Sequence, residues 1–303
     1  MFKHYLTVDN YYKGKYQRKV IRIPLDGNFT CPNIDGTKST DGCTYCFREV
    51  NPLAKLSLTE QFQTQKALLE KKWTNENYYI AYFQAQSNTY GSIEKLTSLY
   101  HEALLLDKNI IGLSIASRPD CFTDEIYDLL NKLNKKTNLT IELGLQTINA
   151  KTAEKINRAH TLEEFEKCVA KLKEKNISVI VHIINGLPGE TEKDMLDTVL
   201  YLNKFRLYGI KIHMLFIAKS TKMGLEFQEK GFPILSLEDY VDIVVKQIRL
   251  LDPKTVIYRL TGDAPKEQLI SPLWSLKKFV VMNEIDKKMR ALSAFQGDQY
   301  EIL

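Results

Sequence analysis

Long hydrophobic runs are absent from this sequence. None of its 303 residues lies in a stretch of about eighteen apolar residues, the length that a membrane-spanning helix needs. The chain opens with Met-Phe-Lys-His-Tyr-Leu, which lacks the apolar segment of a secretory signal peptide. We therefore expect a cytoplasmic protein with no membrane partner.

Cysteine is also scarce, with 5 residues in the whole chain. In a cytoplasmic protein this number argues against a disulfide framework and for a metal or redox site. Cys121 and Cys168 lie far apart in the sequence and are predicted to be buried thiols. Cys31, Cys43 and Cys46 lie close together. Three thiolates leave one position of a zinc or iron site open for a cofactor or substrate, whereas a fourth would close it.

The overall composition is ordinary. Apolar residues make up 44% and charged residues 26%, as in typical soluble globular proteins. The formal net charge of +5 permits a polyanionic partner without requiring one. Short repeats and low-complexity linkers are absent, so we expect one large α/β domain or one and a half smaller ones.

The sequence alternates short apolar strands with amphipathic helices, which predicts parallel βαβ units. The predicted strands are Val20–Leu25, Tyr78–Gln84, Ile110–Ile115, Leu139–Leu145, Ser178–Ile184 and Lys211–Phe216. The predicted helices are Leu58–Trp73, Ile93–Leu105, Thr123–Lys132, Thr161–Lys173, where Thr161 and Glu164 are spaced as a capping box, and Lys193–Phe205. The pattern fits either a partial barrel or an open doubly wound sheet. In both folds, ligands gather at the carboxyl ends of the strands.

Polar residues lie within or directly after each of these strands, beginning with the cysteine loop after the first. The others are Gln84 to Thr89, then Ser117, Arg118 and Asp120, then Glu142 and Gln146, then His182, Asn185 and Gly186, and finally His213. Taken singly, Glu142 fits an ion-pair partner, and His182 and His213 fit core histidines. Their convergence on the rim that bears three thiolates favours a site.

Several motifs together resemble the radical S-adenosylmethionine superfamily, in the branch of the Elongator catalytic subunit and the bacterial YhcC/YtqA-type proteins. These motifs are Cys31-Pro32-Asn33 with Gly42-Cys43, Ser117-Arg118-Pro119-Asp120, Glu142-Leu143-Gly144-Leu145-Gln146, Asn157-Arg158-Ala159-His160-Thr161, Gly186-Leu187-Pro188-Gly189-Glu190-Thr191 and Arg259-Leu260-Thr261-Gly262-Asp263. The resemblance implies a partial (β/α)6 TIM-type barrel. The expected domains are an N-terminal extension 1–14, a core barrel 15–235 and a small α/β C-terminal extension 236–303.

The cofactors that the resemblance implies are a 4Fe-4S cluster on Cys31, Cys43 and Cys46, and S-adenosylmethionine, whose reductive cleavage gives a 5′-deoxyadenosyl radical. The usual Gly-Gly-Glu of the second strand is absent, and Gln84 to Thr89 stands in its place. By resemblance, the cofactor-binding residues are Gln86, Ser87, Asn88 and Thr89 at the methionine end, Glu142 and Arg158 at the ribose and carboxylate, Asn185, Gly186 and His213 at the adenine, together with Arg118, Gln146 and His182. Arg158 also fits an exposed helix charge.

The same resemblance implies action on tRNA, in the anticodon loop. The implied reaction removes the carboxymethyl group from 5-carboxymethylaminomethyl-(2-thio)uridine at the wobble position, leaving 5-aminomethyl-(2-thio)uridine. A flavodoxin- or ferredoxin-type electron donor is expected. Candidate substrate residues are Arg22, Lys38, Arg48, Arg259 and Asp263.

Basic residues interleaved with aromatic ones suit RNA, or else form a solvated basic face whose tyrosines pack on the barrel. One such stretch runs from Lys3 to Lys19, and another contains Trp274 and the later lysines. Three alternative functions stay open: a radical enzyme for a small molecule, a binding module with a structural zinc, and an iron–sulfur scaffold or electron carrier.

Overall fold

The computed structural model describes residues 4–48, 52–73, 77–84 and 86–301. Two residues of the predicted segments, Lys3 and Ala85, lie outside the described residues. No helix in the described ranges is long and apolar enough to cross a membrane.

One parallel sheet of seven strands forms the centre of the fold. Its strands, in spatial order, are β1 (Val20–Leu25), β2 (Tyr78–Phe83), β3 (Ile110–Ser117), β4 (Asn138–Gln146), β5 (Ser178–Asn185), β6 (Gly209–Met214) and β8 (Val256–Arg259). A separate antiparallel pair joins β7 (Ile217–Ala218) to β9 (Leu269–Ser271). All six predicted strands are present, and β8 adds a seventh from the segment that we assign to the C-terminal extension.

The helices follow the strands as the periodicity predicts. They are α1 (Val8–Tyr16), α2 (Leu58–Glu70), α3 (Ile93–Leu105), α4 (Asp124–Asn134), α5 (Ala150–Lys155), α6 (Leu162–Glu174), α7 (Glu192–Asn203), α8 (Lys222–Lys230), α9 (Leu237–Leu250) and α10 (Lys278–Ala291), with 3-10 turns at Pro52–Lys55 and Leu273–Leu276. The capping box of Thr161 and Glu164 begins α6 as predicted.

Side chains alternate between the two faces of the sheet, as the strand period requires. Ile21 and Ile23 of β1 and Ile141 of β4 join the hydrophobic core beneath the helices. Arg22 and Glu142, their neighbours in sequence, point to the other face and pair with each other. Three strand spacings separate β1 from β4, about 14 Å in a flat sheet. The two side chains meet because the sheet curls into a half-barrel, as expected of a partial TIM-type fold.

The aromatic residues of the N-terminal stretch pack at the end of the barrel where the strands begin. The ring of Tyr11 lies 5.6 Å from that of Tyr208, and Tyr16 lies 6.0 Å from Tyr78. The hydroxyl groups of Tyr12 and Tyr258 are 3.0 Å apart. These rings are therefore structural, and the stacking of RNA bases on them is not supported. The packing alternative holds for this stretch.

Trp274 also has a structural role. Its ring centroid lies 5.2 Å from that of Tyr240, and its indole nitrogen donates to the Leu235 carbonyl at 3.1 Å. A ring held in this way is not free to stack on a base. Neither aromatic stretch therefore supplies an argument for RNA.

Candidate active site

The three clustered cysteines line one cavity of about 510 Å³ at the carboxyl ends of the strands. All three are free thiols and partly buried. The loop that carries them turns at Gly36 and Gly42, whose φ angles of 92° and 74° lie in the region that favours glycine. These turns bring residues from both ends of the loop to the same wall.

Neighbouring polar groups orient the thiols. The Asn33 amide donates to Cys43 Sγ at 3.5 Å and to the Asn157 carbonyl at 2.7 Å, which ties the loop to the segment after α5. Burial and then the nearby Cys43 raise the pKa of the Cys46 thiol to about 11. Burial likewise raises the pKa of the Cys43 thiol. Burial thus favours the protonated form of these two thiols, and a cationic metal centre would reverse that preference.

Three free thiols that line one cavity are a donor set that suits an iron–sulfur cluster. Within the described ranges, no three histidine, cysteine, aspartate or glutamate side chains are arranged to hold one metal ion. The three thiols instead share the wall of a cavity with room for a larger group. Thiolates are the usual protein ligands of iron–sulfur clusters. Cys31, Cys43 and Cys46 therefore fit the predicted cluster.

The segment predicted to hold the methionine end divides into two pairs. Gln86 and Ser87 line the cavity. Asn88 and Thr89 are buried and bonded within the protein: the Asn88 amide donates to the Ala116 carbonyl at 2.8 Å, and Thr89 Oγ1 donates to the Cys121 carbonyl at 2.6 Å. The first pair lines the cavity, the second pair fixes the loop that presents it, and the cofactor contacts of all four residues remain a prediction.

Two arginines form the neighbouring wall. Arg118 donates two hydrogen bonds to the Asp120 carboxylate, at 2.8 and 2.9 Å, and a third to the Arg158 carbonyl. Arg158 is 3% exposed and donates to the carbonyls of Leu145 and Thr147. It is therefore not an exposed helix charge. Both arginines line the cavity, as does Gln146.

Glu142 lies at the cavity floor and is completely buried. Its Oε1 accepts from Arg22 and from Ser114 Oγ, and its Oε2 accepts from Tyr82, His182 and Lys211. Burial alone would raise the pKa of Glu142, but Arg22 and Lys211 outweigh it and hold that pKa well below its usual range. Both oxygens are thus occupied by protein donors, and the predicted ribose contact remains a prediction.

The three residues predicted to flank the adenine do not line the cavity. Asn185 exchanges two amide hydrogen bonds with Gln247, at 2.7 and 2.9 Å. Gly186 has a φ of 87°, where a side chain would meet Leu235 at 3.1 Å. The ring of His213 lies 5.3 Å from that of His182, which does line the cavity.

The turn after β5 contains one carboxyl group with a raised pKa. Burial raises the pKa of Glu190 to about 7, although Thr147 donates a hydrogen bond to it. An acid whose folded pKa exceeds its unfolded value loses stability as pH rises between the two values, here from about 4.5 to 7. We expect Glu190→Gln to match the wild type at pH 4.5 and to gain about 1–2 kcal/mol at pH 8. Urea unfolding of the apoprotein at both pH values measures this gain, and a constant difference would contradict it.

The predicted substrate residues lie in different places. Arg48 lines the cavity, and its guanidinium donates to the Asp41 carbonyl at 2.8 Å. Lys38 lies outside the lining and pairs with Asp120 at 2.6 Å. Arg259 pairs with Asp263 at 2.7 Å, beyond β8. Arg22 lies in the barrel interior, where it pairs with Glu142.

Sequence reasoning missed four polar residues of this region. Tyr45 and His160 line the cavity, while Tyr82 and Lys211 bind Glu142 from inside their strands. The signal for the last two was available, because a lysine and a tyrosine that alternate with apolar residues point to the opposite face of a strand. Tyr45 lies between Cys43 and Cys46 in the sequence, and this position alone predicts a place near the cysteine site.

Comparison with known families agrees with this geometry. The model of the Radical SAM superfamily matches residues 36–202, and that of the Radical_SAM C-terminal domain matches residues 207–291. The chain belongs to the radical SAM superfamily. The first match ends at residue 202 and the second begins at residue 207. The domain boundary at residue 235 that we predict from the sequence is a separate proposal.

Individual relatives confirm the predicted branch. YtqA of Bacillus subtilis is 38% identical over 99% of this chain and 94% of its own length. The tRNA-2-methylthio-N(6)-dimethylallyladenosine synthase of Fusobacterium nucleatum is 31% identical over 45% of this chain and 32% of its own. The structure of Elp3 from the archaeon Methanocaldococcus infernus matches with a TM-score of 0.69 at 16% identity, covering 92% of this chain and 64% of that one, and supports the fold. This radical SAM protein is therefore related to tRNA-modifying enzymes.

Proposed function

We propose that this radical SAM protein modifies tRNA at the wobble uridine, where it removes the carboxymethyl group of 5-carboxymethylaminomethyl-(2-thio)uridine and leaves the 5-aminomethyl form. The observation that carries the proposal is a cavity with three free thiols on one wall and a cation-rich barrel interior behind its floor. The first feature suits the cluster, and the second suits a substrate with a carboxylate.

The residues of the cavity have distinct roles toward the cofactors. Cys31, Cys43 and Cys46 would hold the cluster, and Gln86 and Arg158, which line the same cavity, would bind S-adenosylmethionine. When bound, the reduced cluster would supply the electron that turns S-adenosylmethionine into a hydrogen-atom acceptor, and the oxidised cluster would afterwards accept one electron. The protein excludes water around them, since both arginines and the cavity floor are largely buried.

The substrate offers a suitable carbon–hydrogen bond. The methylene group between amine and carboxylate loses a hydrogen atom readily, because both substituents stabilise the resulting radical. Loss of one further electron gives an iminium, and addition of one water then breaks the carbon–nitrogen bond. The products are the protonated aminomethyl group and glyoxylate, which balances atoms and charge. The wobble base lies in a loop, so it leaves its stack at a smaller cost than a base in a duplex.

Nucleoside mass spectrometry tests this proposal. We expect tRNA from a strain without the gene to accumulate 5-carboxymethylaminomethyl-(2-thio)uridine. The anaerobically reconstituted protein, with S-adenosylmethionine and a reduced flavodoxin or ferredoxin, should convert that tRNA to the aminomethyl form and release about one glyoxylate per uridine. Unchanged wobble nucleosides in both experiments would rule out the tRNA function. Cleavage of S-adenosylmethionine without any effect of tRNA would favour a small-molecule substrate.

A further inference from the structure

Among the described residues, the interior of the half-barrel holds more cationic than carboxylate side chains. Arg22, Lys211 and Arg259 all reach it, and Glu142 is the carboxylate that they share. Glu142 has no capacity left for Arg259, because its two oxygens already accept from residues on β1, β2, β3, β5 and β6. Positive charge in a low-dielectric space is costly unless an anion compensates it.

Arg259 is the cation placed to receive an external anion. It is the direct neighbour of Lys211 in the register of β6 and β8, and its side chain is 38% exposed. Its carboxylate partner in the structure is Asp263, four residues along the chain, and Lys278 also pairs with Asp263. Because two cations share that one surface carboxylate, Arg259 retains bonding capacity for an incoming group.

Two buried nitrogens beside Arg259 have no partner among the described residues. They are Nε2 of His213 and Nε of Arg22. Burial, and then His182 and Arg259, hold the pKa of His213 well below its usual range, so the ring is neutral. Buried polar nitrogens without a partner are rare in folded proteins and indicate a missing ligand or water. A neutral His213 ring can present Nε2–H to an acceptor in one of its two tautomers.

We propose that Arg259, Lys211 and His213 form a subsite for the carboxylate of the substrate's aminoacetate group. The inference rests on the proposed function, whose substrate carries that carboxylate. An arginine provides two parallel charge-assisted hydrogen bonds to such a group. The uridine base would then extend from β6 and β8 toward the cavity, past His182, which lines the cavity.

This subsite is separate from the S-adenosylmethionine site. The cavity is lined by the cysteine loop after β1, by residues within or after β2, β3 and β4, and by His182 of β5. Arg259, Lys211 and His213 belong to β6 and β8 and are not among its lining residues. The carboxylate of S-adenosylmethionine therefore has other cations available, namely Arg118 and Arg158. Substitution of Arg259 distinguishes the two sites, because it should lower the affinity for the substrate carboxylate and leave the affinity for S-adenosylmethionine unchanged.

Binding of anticodon stem-loops by the unreduced holoenzyme tests the subsite. One stem-loop carries 5-carboxymethylaminomethyluridine at the wobble position, and a second carries 5-aminomethyluridine. We expect Arg259→Gln to weaken binding of the first by about ten- to a hundredfold, the range for a hydrogen-bonded charge, and of the second by less than about twofold. Arg259→Lys should restore part of the loss. The Kd for S-adenosylmethionine should not change.

Arg206→Gln is the matched control. Arg206 is an exposed arginine in the turn before β6, at the opposite end of the sheet. Its replacement removes the same charge and should alter neither affinity. If Arg259→Gln weakens both stem-loops equally, or weakens neither in a folded protein that still converts tRNA, the subsite is wrong. If the wild type neither converts tRNA nor prefers the carboxylate form, the proposed function itself has failed.

Discussion

Cys43→Ala should abolish both the iron–sulfur cluster and the cleavage of S-adenosylmethionine while leaving the fold intact. Cys43 lies between Cys31 and Cys46 on the cavity wall, and its thiol accepts a hydrogen bond from Asn33. Two thiolates cannot hold the cluster with a single open corner, because two of its irons would then lack a protein ligand. The reconstituted variant should therefore lack the brown absorbance, and its cleavage activity should fall to the level without protein.

Cys168→Ala is the control for this experiment. Cys168 is also a buried free thiol, 1% exposed, but it lies in α6 within the hydrophobic core. We expect this variant to bind iron and cleave S-adenosylmethionine like the wild type, and to lose about 1–2 kcal/mol of stability from the small cavity. Cys43→Ser tests whether the loss comes from the missing ligand or from the smaller side chain. Serine nearly keeps the side-chain volume of cysteine, and we expect this variant to lose the cluster as well. Full cleavage by Cys43→Ala would overturn the cluster assignment.

The fold was predictable because its elements are regular. Strands and helices alternate with clear periods, and βαβ units fix the parallel sheet and place its carboxyl ends together. The same rule located the cavity, because Cys43 and Arg118 follow strands, while Glu142 and His182 lie within β4 and β5 and also line it. What could not be predicted is strand register. Val256–Arg259 is not among the six predicted strands, and only its register with β6 shows that Arg259 lies beside Lys211.

Composition alone was a poor guide to surfaces. Tyr12 and Tyr16 lie among lysines and arginines, which suited RNA, but a list of residues does not show which side of α1 faces the sheet. In the structure the tyrosine side packs against Tyr78 and Tyr258, and the interaction is internal. Lys211 could not be interpreted from the sequence for a different reason. It is a charged residue within an apolar strand, and its ion pair with Glu142 forms because the sheet curls.

Glu142→Gln should be the most destabilising single substitution of a polar residue in the barrel interior. The carboxylate is buried and compensates Arg22 and Lys211, so removing its charge leaves two cations in a low-dielectric space. Breaking a buried ion pair from one side costs about 3–5 kcal/mol. Urea unfolding of the apoprotein measures this loss. Glu166→Gln is the matched control, because Glu166 pairs with Lys204 at the surface and should cost about 1 kcal/mol or less.

The loss should also depend on pH in a defined direction. Burial lowers the pKa of Lys211 to about 7 even beside Glu142, and loss of the carboxylate should lower it further. A lysine whose folded pKa lies below its unfolded value loses stability as pH falls between the two values. Glu142→Gln should therefore be less destabilising at pH 9 than at pH 6, because Lys211 then sheds its proton at a smaller cost. The wild type gains nothing comparable from Glu142 over this range, since that carboxylate stays ionised throughout. An equal loss at both pH values, or one no larger than that of Glu166→Gln, would show that the interior cations are not held by Glu142.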